Sequence, residues 1–81
     1  MKIIWDEPKR LANISKHGLD FAALSLEFFL ASMIIPARAG RSKAIGRFES
    51  GMIVVVFAVL GKKALSVISM RPARIDERRL L

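Results

Sequence analysis

Apolar and polar positions change their spacing along the chain, and the change predicts helices first and strands afterwards. In the first third, Phe21, Leu24 and Phe28 recur at intervals of three and four residues. That spacing places them along one stripe of a helix. We therefore predict a first helix from about Glu7 to Lys16 and a second helix from about Asp20 to Phe29.

Local signals mark the ends of the first predicted helix. Asp6 lies where a helix N-terminus favours negative charge, and Pro8 suits the first turn. His17 lies in the last turn, and Gly18 supplies a left-handed stop. Asp20 can then cap the second helix. Because His17 ends the predicted helix at its glycine stop, we interpret it as a helix C-terminal charge or a local cap and not as a member of a serine–histidine–aspartate arrangement.

The remaining apolar runs are short and separated by turn residues, which predicts strands. Met52 to Leu60 is an unbroken apolar run rich in valine, and such a run is typical of a central strand covered on both faces. The predicted strands are Lys2–Trp5, Leu30–Pro36, Lys43–Phe48, Met52–Leu60 and Ala64–Met70. A charged helix over Ala73–Leu81 is predicted to follow them.

The order of these elements predicts an α+β fold. Short turns between consecutive strands imply antiparallel pairing. We expect a single two-layer domain over residues 1–81, in which two N-terminal helices pack on one face of a mainly antiparallel sheet. A short C-terminal helix completes the predicted architecture.

Composition narrows the classes of protein that remain. The chain has no cysteine and one histidine, which disfavours a structural zinc site, and we expect neither a metal nor a cofactor. Its longest uncharged apolar run, Gly51 to Gly61, is far shorter than the ~20 residues of a membrane-spanning helix. With no secretory signal pattern, we expect a cytoplasmic location and no membrane partner. A hydrophobic fraction of 53% indicates either a tight core or an apolar patch for a partner chain.

The net charge of +7 belongs almost entirely to the second half of the chain. Residues 1–40 hold five basic and four acidic residues, and residues 41–81 hold nine basic and three acidic residues. The halves therefore carry +1 and +6. Such asymmetry favours a polyanionic partner, either a nucleic acid or an acidic protein segment, over an ordinary solvated surface.

Cationic side chains predict phosphate chemistry in this chain. RNA is cleaved without metal when its own 2′-hydroxyl attacks the adjacent phosphate, and arginine stabilises the added negative charge through two N–H groups. We select Arg41 and Arg71 as candidate catalytic residues because they lie at predicted strand ends. The candidate RNA-binding residues are Lys43, Arg47, Arg74 and Arg78.

Three segments resemble the BrnT family, the toxin half of a bacterial toxin–antitoxin pair. They are IIWDEPKRLANISKHGLDF near the start, RSKAIGRFESGMIVVVF in the middle and LSVISMRPARIDERRLL at the end. Each match is weak alone, but their order and spacing are specific. The residues that match the family's N-terminal motif are Trp5, Asp6, Lys9, Asn13, His17 and Gly18. Arg41 and Arg71 match arginines expected at the family's active surface.

The resemblance implies a RelE-like fold and a ribonuclease toxin that causes growth arrest. It also implies an RNA substrate and a BrnA-like ribbon–helix–helix antitoxin, with DNA contacted only through the complex with that antitoxin. Three positions depart from the family pattern, because Gly40, Phe57 and Ser66 stand where acidic, tyrosine and arginine residues are common. The alternative is therefore a catalytically weak or inactive module that binds RNA or protein.

Overall fold

The computed structural model describes residues 1–81 as five strands, three α-helices and two 3₁₀ turns. The strands are β1 (Lys2–Trp5), β2 (Met33–Pro36), β3 (Ser42–Phe48), β4 (Gly51–Leu60) and β5 (Ala64–Pro72). The helices are α1 (Glu7–His17), α2 (Leu26–Leu30) and α3 (Ile75–Arg78), and the 3₁₀ turns span Phe21–Ala23 and Arg38–Gly40. None of the helices is long and apolar enough to cross a bilayer.

The strands form one mixed sheet in the order β1-β5-β4-β3-β2. The neighbours from β2 to β5 pair antiparallel, whereas β1 lies parallel to β5, with Ile3 opposite Leu65. The predicted fold class, two N-terminal helices packed on a mainly antiparallel sheet, is therefore wrong. Short turns encode antiparallel pairing locally, but the pairing of β1 with β5 joins opposite ends of the chain and has no local signal.

The sequence also predicts one helix too many in the first half. The segment Asp20–Phe29 forms only a 3₁₀ turn and then α2, because Leu24 between them is extended, with φ −77° and ψ 145°. Ser25 starts α2 as its N-cap. One substantial N-terminal helix, α1, therefore accompanies the sheet. At the other end α3 is a single turn, shorter than the predicted helix over Ala73–Leu81.

The ends of α1 lie where the sequence places them. The Asp6 carboxylate accepts a hydrogen bond from the backbone N–H of Lys9, which satisfies one of the free donors of the first turn. Gly18 ends the helix with φ 69°, and its N–H donates to the carbonyl of Ile14. Glycine takes this left-handed conformation without the steric cost that a Cβ imposes.

One face of the sheet carries the main hydrophobic core. The helical segments contribute Phe21, Leu24, Phe28 and Phe29, and the sheet contributes Ala44, Ile53, Val55, Phe57, Leu65, Val67 and Met70. The rings of Phe29 and Phe57 meet edge to face with centroids 5.1 Å apart. Gly46 lets Phe28 of α2 and the following Ser32 lie close to β3, since a Cβ there would collide with the Ser32 hydroxyl and crowd the Phe28 ring. We call this side of the sheet the core face.

The opposite side, which we call the open face, mixes buried apolar and charged side chains. Two rows cross β3, β4 and β5 on it, namely Lys43–Val56–Ser69 and Ile45–Val54–Arg71. Ile45 and Val54 are fully buried although they lie outside the main core. The C-terminal segment folds back over this face, because Ala73 donates its N–H to the Met52 carbonyl and Glu77 of α3 pairs with Arg71.

Candidate functional site

A cleft of about 550 Å³ opens beside the turn between β2 and β3, and we call it the turn cleft. Its lining residues are Pro36, Ala37, Arg38, Arg41, Lys43 and Val56. The turn itself is tight, since Ala39 and Gly40 both adopt left-handed backbone conformations, with φ 59° and 72°. That turn fixes Arg38 and Arg41 at its two ends, so three cations surround one depression and no acidic side chain lines it.

The two candidate catalytic arginines share the open face. Arg71 lies opposite Val54, which in turn lies opposite Ile45. Because side chains alternate along an extended chain, Arg41 and Lys43 fall on the same face as Ile45. The sheet geometry separates the Cα atoms of Arg41 and Arg71 by about 10 Å across the strands and roughly 14 Å along them. That span exceeds one phosphate group, and Lys43 lies between the two arginines.

Arg71 is bound to Glu77 by a two-point ion pair. Its Nη1 and Nη2 atoms donate to the two carboxylate oxygens of Glu77, each at 2.7 Å. The Arg71 guanidinium, helped by the backbone N–H of Arg74, lowers the pKa of Glu77 to about 2 although burial opposes the shift. The same pair raises the pKa of Arg71. The Arg71 side chain therefore lies on the open face with both Nη groups already bound to Glu77, which fixes the orientation of the guanidinium plane.

The candidate RNA-binding residues divide into two groups. Lys43 lines the turn cleft with Arg41. Arg47 is exposed on the same face but lies opposite Met52, at the far end of β3. Arg74 and Arg78, both exposed, border α3 on the C-terminal segment. The structure brings Lys43 to the turn cleft and leaves the three arginines along the path of the C-terminal segment.

A second cleft of about 290 Å³ lies between α1 and β5, and we call it the helix cleft. Its lining residues are Lys9, Ala12, Asn13, Lys16, His17, Ile68 and Ser69. Lys9, Asn13, Lys16 and His17 fall on one face of α1 because they are spaced by three or four residues. His17 thus lies in the last turn of α1, as the sequence predicts, and also lines a cleft that the sequence did not reveal.

Asn13 is a buried polar residue that joins α1 to the sheet. Its side-chain amide donates to the carbonyls of Leu19 and Met70, each at 2.9 Å, and its carbonyl accepts from the Met70 N–H at 3.1 Å. The amide thus pairs with both backbone groups of Met70, beyond the point where β1 ends. This contact fixes the backbone directly before Arg71.

The other residues of the N-terminal motif have local structural contacts. Asp6 and Gly18 cap α1, as described above. The Trp5 indole N–H donates to the Glu7 carboxylate at 3.0 Å, and Arg10 holds the same carboxylate through two N–H groups. The neighbouring Arg10 lowers the pKa of Glu7 to about 2, with Trp5 adding to the effect. Of the motif, only Lys9, Asn13 and His17 reach a cleft.

Two residues of the open face are not among the site residues predicted from the sequence. Arg38 lines the turn cleft, and its only signal in the sequence is its position in a turn three residues before Arg41. Glu77 pairs with Arg71, and nothing in the sequence identifies these two residues as partners. No cluster of three or more histidine, cysteine, aspartate or glutamate side chains comes together in the chain.

The three departures from the family pattern lie in different surroundings. Phe57 is on the core face against Phe29, so the missing tyrosine hydroxyl takes no polar group from the open face. Ser66 lies on the open face opposite Ala58. Gly40 lies in the turn beside the turn cleft, with its backbone left-handed. Only Ser66 and Gly40 therefore border the cationic surface.

Comparison with known proteins gives two agreeing matches. The family model described as "Ribonuclease toxin, BrnT, of type II toxin-antitoxin system" matches residues 5–77. The crystal structure of the Brucella abortus ribonuclease toxin, BrnT, is 59% identical to this chain with a TM-score of 0.88. That match covers 91% of this chain and 97% of the Brucella chain. No curated protein matches the chain.

Proposed function

The chain belongs to the BrnT family of ribonuclease toxins of type II toxin–antitoxin systems, and from this premise we propose a metal-independent endoribonuclease. The family resemblance found in the sequence is thereby confirmed. The proposal adds the route of cleavage, the residues that carry it and the kind of antitoxin that blocks it.

One observation carries the proposed route: Arg41, Lys43 and Arg71 share the open face of a rigid sheet. Guanidinium and ammonium groups bind phosphate oxygens through charge-assisted hydrogen bonds. Groups fixed by a sheet need no reorganisation when negative charge develops on the phosphorus, which is how such groups lower a barrier. A cationic surface of this kind suits the phosphodiester backbone of single-stranded RNA.

In the proposed reaction, the RNA 2′-oxygen forms a bond to the adjacent phosphorus and the bond from phosphorus to the 5′-oxygen breaks. The products are a 2′,3′-cyclic phosphate and a 5′-hydroxyl. The 2′-hydroxyl loses its proton and the leaving 5′-oxygen gains one, so no oxidant or reductant is needed. Because the sheet separates Arg41 from Arg71, each arginine holds a different part of the strand, and the one nearer the reacting phosphate stabilises the added charge. Lys43, Arg47, Arg74 and Arg78 bind neighbouring phosphates.

The proposed protein partner is a BrnA-like ribbon–helix–helix antitoxin that covers the open face. Charge supports this partner, because the second half of the chain carries +6 and a binding segment rich in aspartate or glutamate complements it. DNA is contacted only through the antitoxin in that complex. Co-expression with any small ribbon–helix–helix protein that an adjacent reading frame encodes, followed by size-exclusion chromatography, tests whether the two chains elute together.

A specific contact favours a second candidate function. Glu77 occupies the Nη1–Nη2 edge of Arg71, and the Pro72 carbonyl takes a further Nη1 hydrogen, so only the Nε–H and the second Nη2 N–H remain for a phosphate. A chain in which the pair never opens, and in which no phosphate reaches that remaining edge, would bind RNA or protein through the turn cleft without cleaving. Salt-sensitive RNA binding with intact RNA after long incubation selects this module over the enzyme.

Cleavage of a labelled single-stranded RNA by the purified chain in excess chelator tests the proposed enzyme. We expect cleavage by the parent and a loss of about 100-fold or more for Arg41→Ala, since one charge-stabilising donor is worth that much. Arg71→Lys keeps a charge beside Glu77 but removes the two-point fork, and we expect a similar loss. The matched control is Arg79→Ala, an exposed arginine that lines neither cleft.

Two results count against the proposal. Parent cleavage that disappears in chelator and returns with added divalent cation contradicts metal independence. Equal activity in parent, Arg41→Ala and Arg71→Lys contradicts the assignment of the site, provided that thermal unfolding shows all three folded.

A further inference from the structure

The helix cleft carries positive charge that the structure leaves without a partner. Lys9 and Lys16 line it, and neither forms an ion pair within the protein. His17 adds an imidazole to the same lining, and no acidic side chain belongs to it. A concave surface with two free ammonium groups suits an anionic ligand.

The helix cleft and the turn cleft are neighbours on the open face. Val56 lines the turn cleft, Ser69 lines the helix cleft, and these two residues lie directly opposite each other on β4 and β5. The row that joins them begins at Lys43 on β3. A ligand that leaves the turn cleft along this row therefore enters the helix cleft.

A bulge in β5 opens the boundary between the two clefts. The register of β4 and β5 shifts between Val56 and Phe57, which leaves Ile68 as the extra residue. Bulges bend a strand and redirect its side chains, and they are frequent beside binding sites. Here Asn13 holds the strand through Met70 directly after the bulge, so α1 and its lysines stay in fixed register with the open face.

We propose that the helix cleft is a second phosphate-binding subsite, in which Lys9 and Lys16 bind the backbone of an RNA strand that crosses the sheet from the turn cleft. This inference rests on the proposed function and extends it by giving the RNA a direction. The strand runs across β3, β4 and β5, past Arg71, to α1. Single-stranded RNA is the ligand, because one continuous polyanion reaches both clefts along the row that joins them.

The distance between the clefts sets the length of RNA that reaches both. From β3 to β5 the sheet spans about 10 Å, and the helix beside it adds a similar distance, giving roughly 20 Å in all. At ~3.4 Å per stacked nucleotide this corresponds to about six nucleotides. A dinucleotide in the turn cleft therefore cannot reach Lys9 or Lys16.

Binding of 2′-O-methyl RNA, which lacks the attacking hydroxyl and stays intact, tests the second subsite. The variant is Lys9→Gln with Lys16→Gln. Its matched control is Lys62→Gln with Lys63→Gln, which removes the same charge from a third cleft beside the turn between β4 and β5, at the other end of β5 from Arg71. For a ten-nucleotide RNA we expect about tenfold weaker binding by the first pair and less than twofold by the control. For the Lys9→Gln with Lys16→Gln variant, the magnitude of the slope of log K against log salt concentration should fall by about 1.4, or roughly 0.7 for each lost phosphate contact.

Two further measurements vary the length of the RNA and restore the positive charges at positions 9 and 16. A dinucleotide must bind the parent and Lys9→Gln with Lys16→Gln equally, and Lys9→Arg with Lys16→Arg must keep the parent affinity for the long RNA. The inference is overturned if both glutamine pairs weaken binding equally, or if the first pair leaves it unchanged. A parent that binds the analogue through the helix cleft but never cleaves unmodified RNA contradicts the proposed function alone.

Discussion

The same strands form both faces of the sheet, but the core face is held by apolar packing and the open face carries the cations. On the core face, Val55 and Phe57 of β4 pack under phenylalanine rings from the helical segments. On the open face of the same strand, Val54 lies opposite Arg71 of β5 and Val56 lies opposite Lys43 of β3. One alternating strand therefore supports a dry hydrocarbon layer on one side and a cationic surface on the other.

Stability and function depend on different faces of this small domain. Truncating an apolar side chain on the core face should lower the free energy of unfolding without changing the activity of the molecules that remain folded. Removing a cation from the open face should cost RNA binding and leave stability nearly unchanged. The exceptions are Asn13 and the ion pair of Arg71 with Glu77, because removing Arg71 would leave a buried carboxylate without its partner.

The largest expected effect on stability is on the core face. Phe21 is fully buried and contributes to the main core, so Phe21→Ala should lower the free energy of unfolding by about 4 kcal/mol. Arg41→Ala on the open face should change it by less than about 0.5 kcal/mol. Urea unfolding followed by tryptophan fluorescence of Trp5 measures both. Equal destabilisation by the two variants would contradict the conclusion that stability depends mainly on the core face.

Asn13 should show the next largest effect because it links the two sides. Asn13→Ala leaves the N–H and carbonyl of Met70 without their partner, and we expect a loss of about 3 kcal/mol. Hydrogen exchange should also accelerate at Met70, next to Arg71. Ser15→Ala, on the exposed side of α1, is the control and should leave both quantities unchanged. An Asn13→Ala protein as stable as the parent contradicts the proposed link.

Glu77 should couple stability to pH. Its pKa is lowered to about 2 by Arg71, so the stabilisation is complete above pH ~4.5 and is lost as the pH falls toward 2. Glu77→Gln should lower the free energy of unfolding by about 2 kcal/mol at pH 7 and flatten this acid decline. Because Glu7 also has a pKa of about 2, part of the decline should remain. Acid titration at fixed urea compares the variant with Asp76→Asn.

Glu77→Gln also tests whether RNA affinity and stability can change in opposite directions. The variant frees the Arg71 fork, so RNA affinity should rise several-fold while stability falls. If affinity falls instead, the Arg71–Glu77 pair belongs to the RNA-binding surface as a unit.

The smallest expected effect lies in the turn beside the turn cleft. Ala39 adopts a left-handed conformation with φ 59°, which costs a residue with a Cβ about 1 kcal/mol. Ala39→Gly should relieve that strain, partly offset by the greater freedom of the unfolded chain, and raise the melting temperature slightly. Ala22→Gly, at an ordinary backbone conformation, should lower it. A lower melting temperature for both variants contradicts the strain at Ala39.

Local signals in the sequence predicted local structure well. Asp6 and Gly18 cap α1 within one residue of the predicted ends, because each cap acts on its own helix turn. Phe21, Leu24 and Phe28 are all buried, but the prediction that they lie on one continuous helix is wrong. Burial of a stripe does not require a continuous helix, and Leu24 is extended inside it.

Long-range features could not be predicted in the same way. The parallel pairing of β1 with β5, the ion pair between Arg71 and Glu77 and the helix cleft all depend on how distant segments meet. The sequence indicated Arg41 and Arg71 as candidates because both lie at predicted strand ends. It contained no information on their distances, so Arg41 and Arg71 were assigned together although the sheet separates them.

Amide chemical shifts of the labelled protein, followed during titration with 2′-O-methyl RNA, show which face of the sheet the RNA contacts. We expect the perturbed amides to cluster at residues 38–43 and 69–71 and to extend to residues 9–17 for an RNA of ten nucleotides. Perturbations concentrated on α2 and the 3₁₀ turn at Phe21–Ala23, on the core face, would show that the open face does not bind RNA.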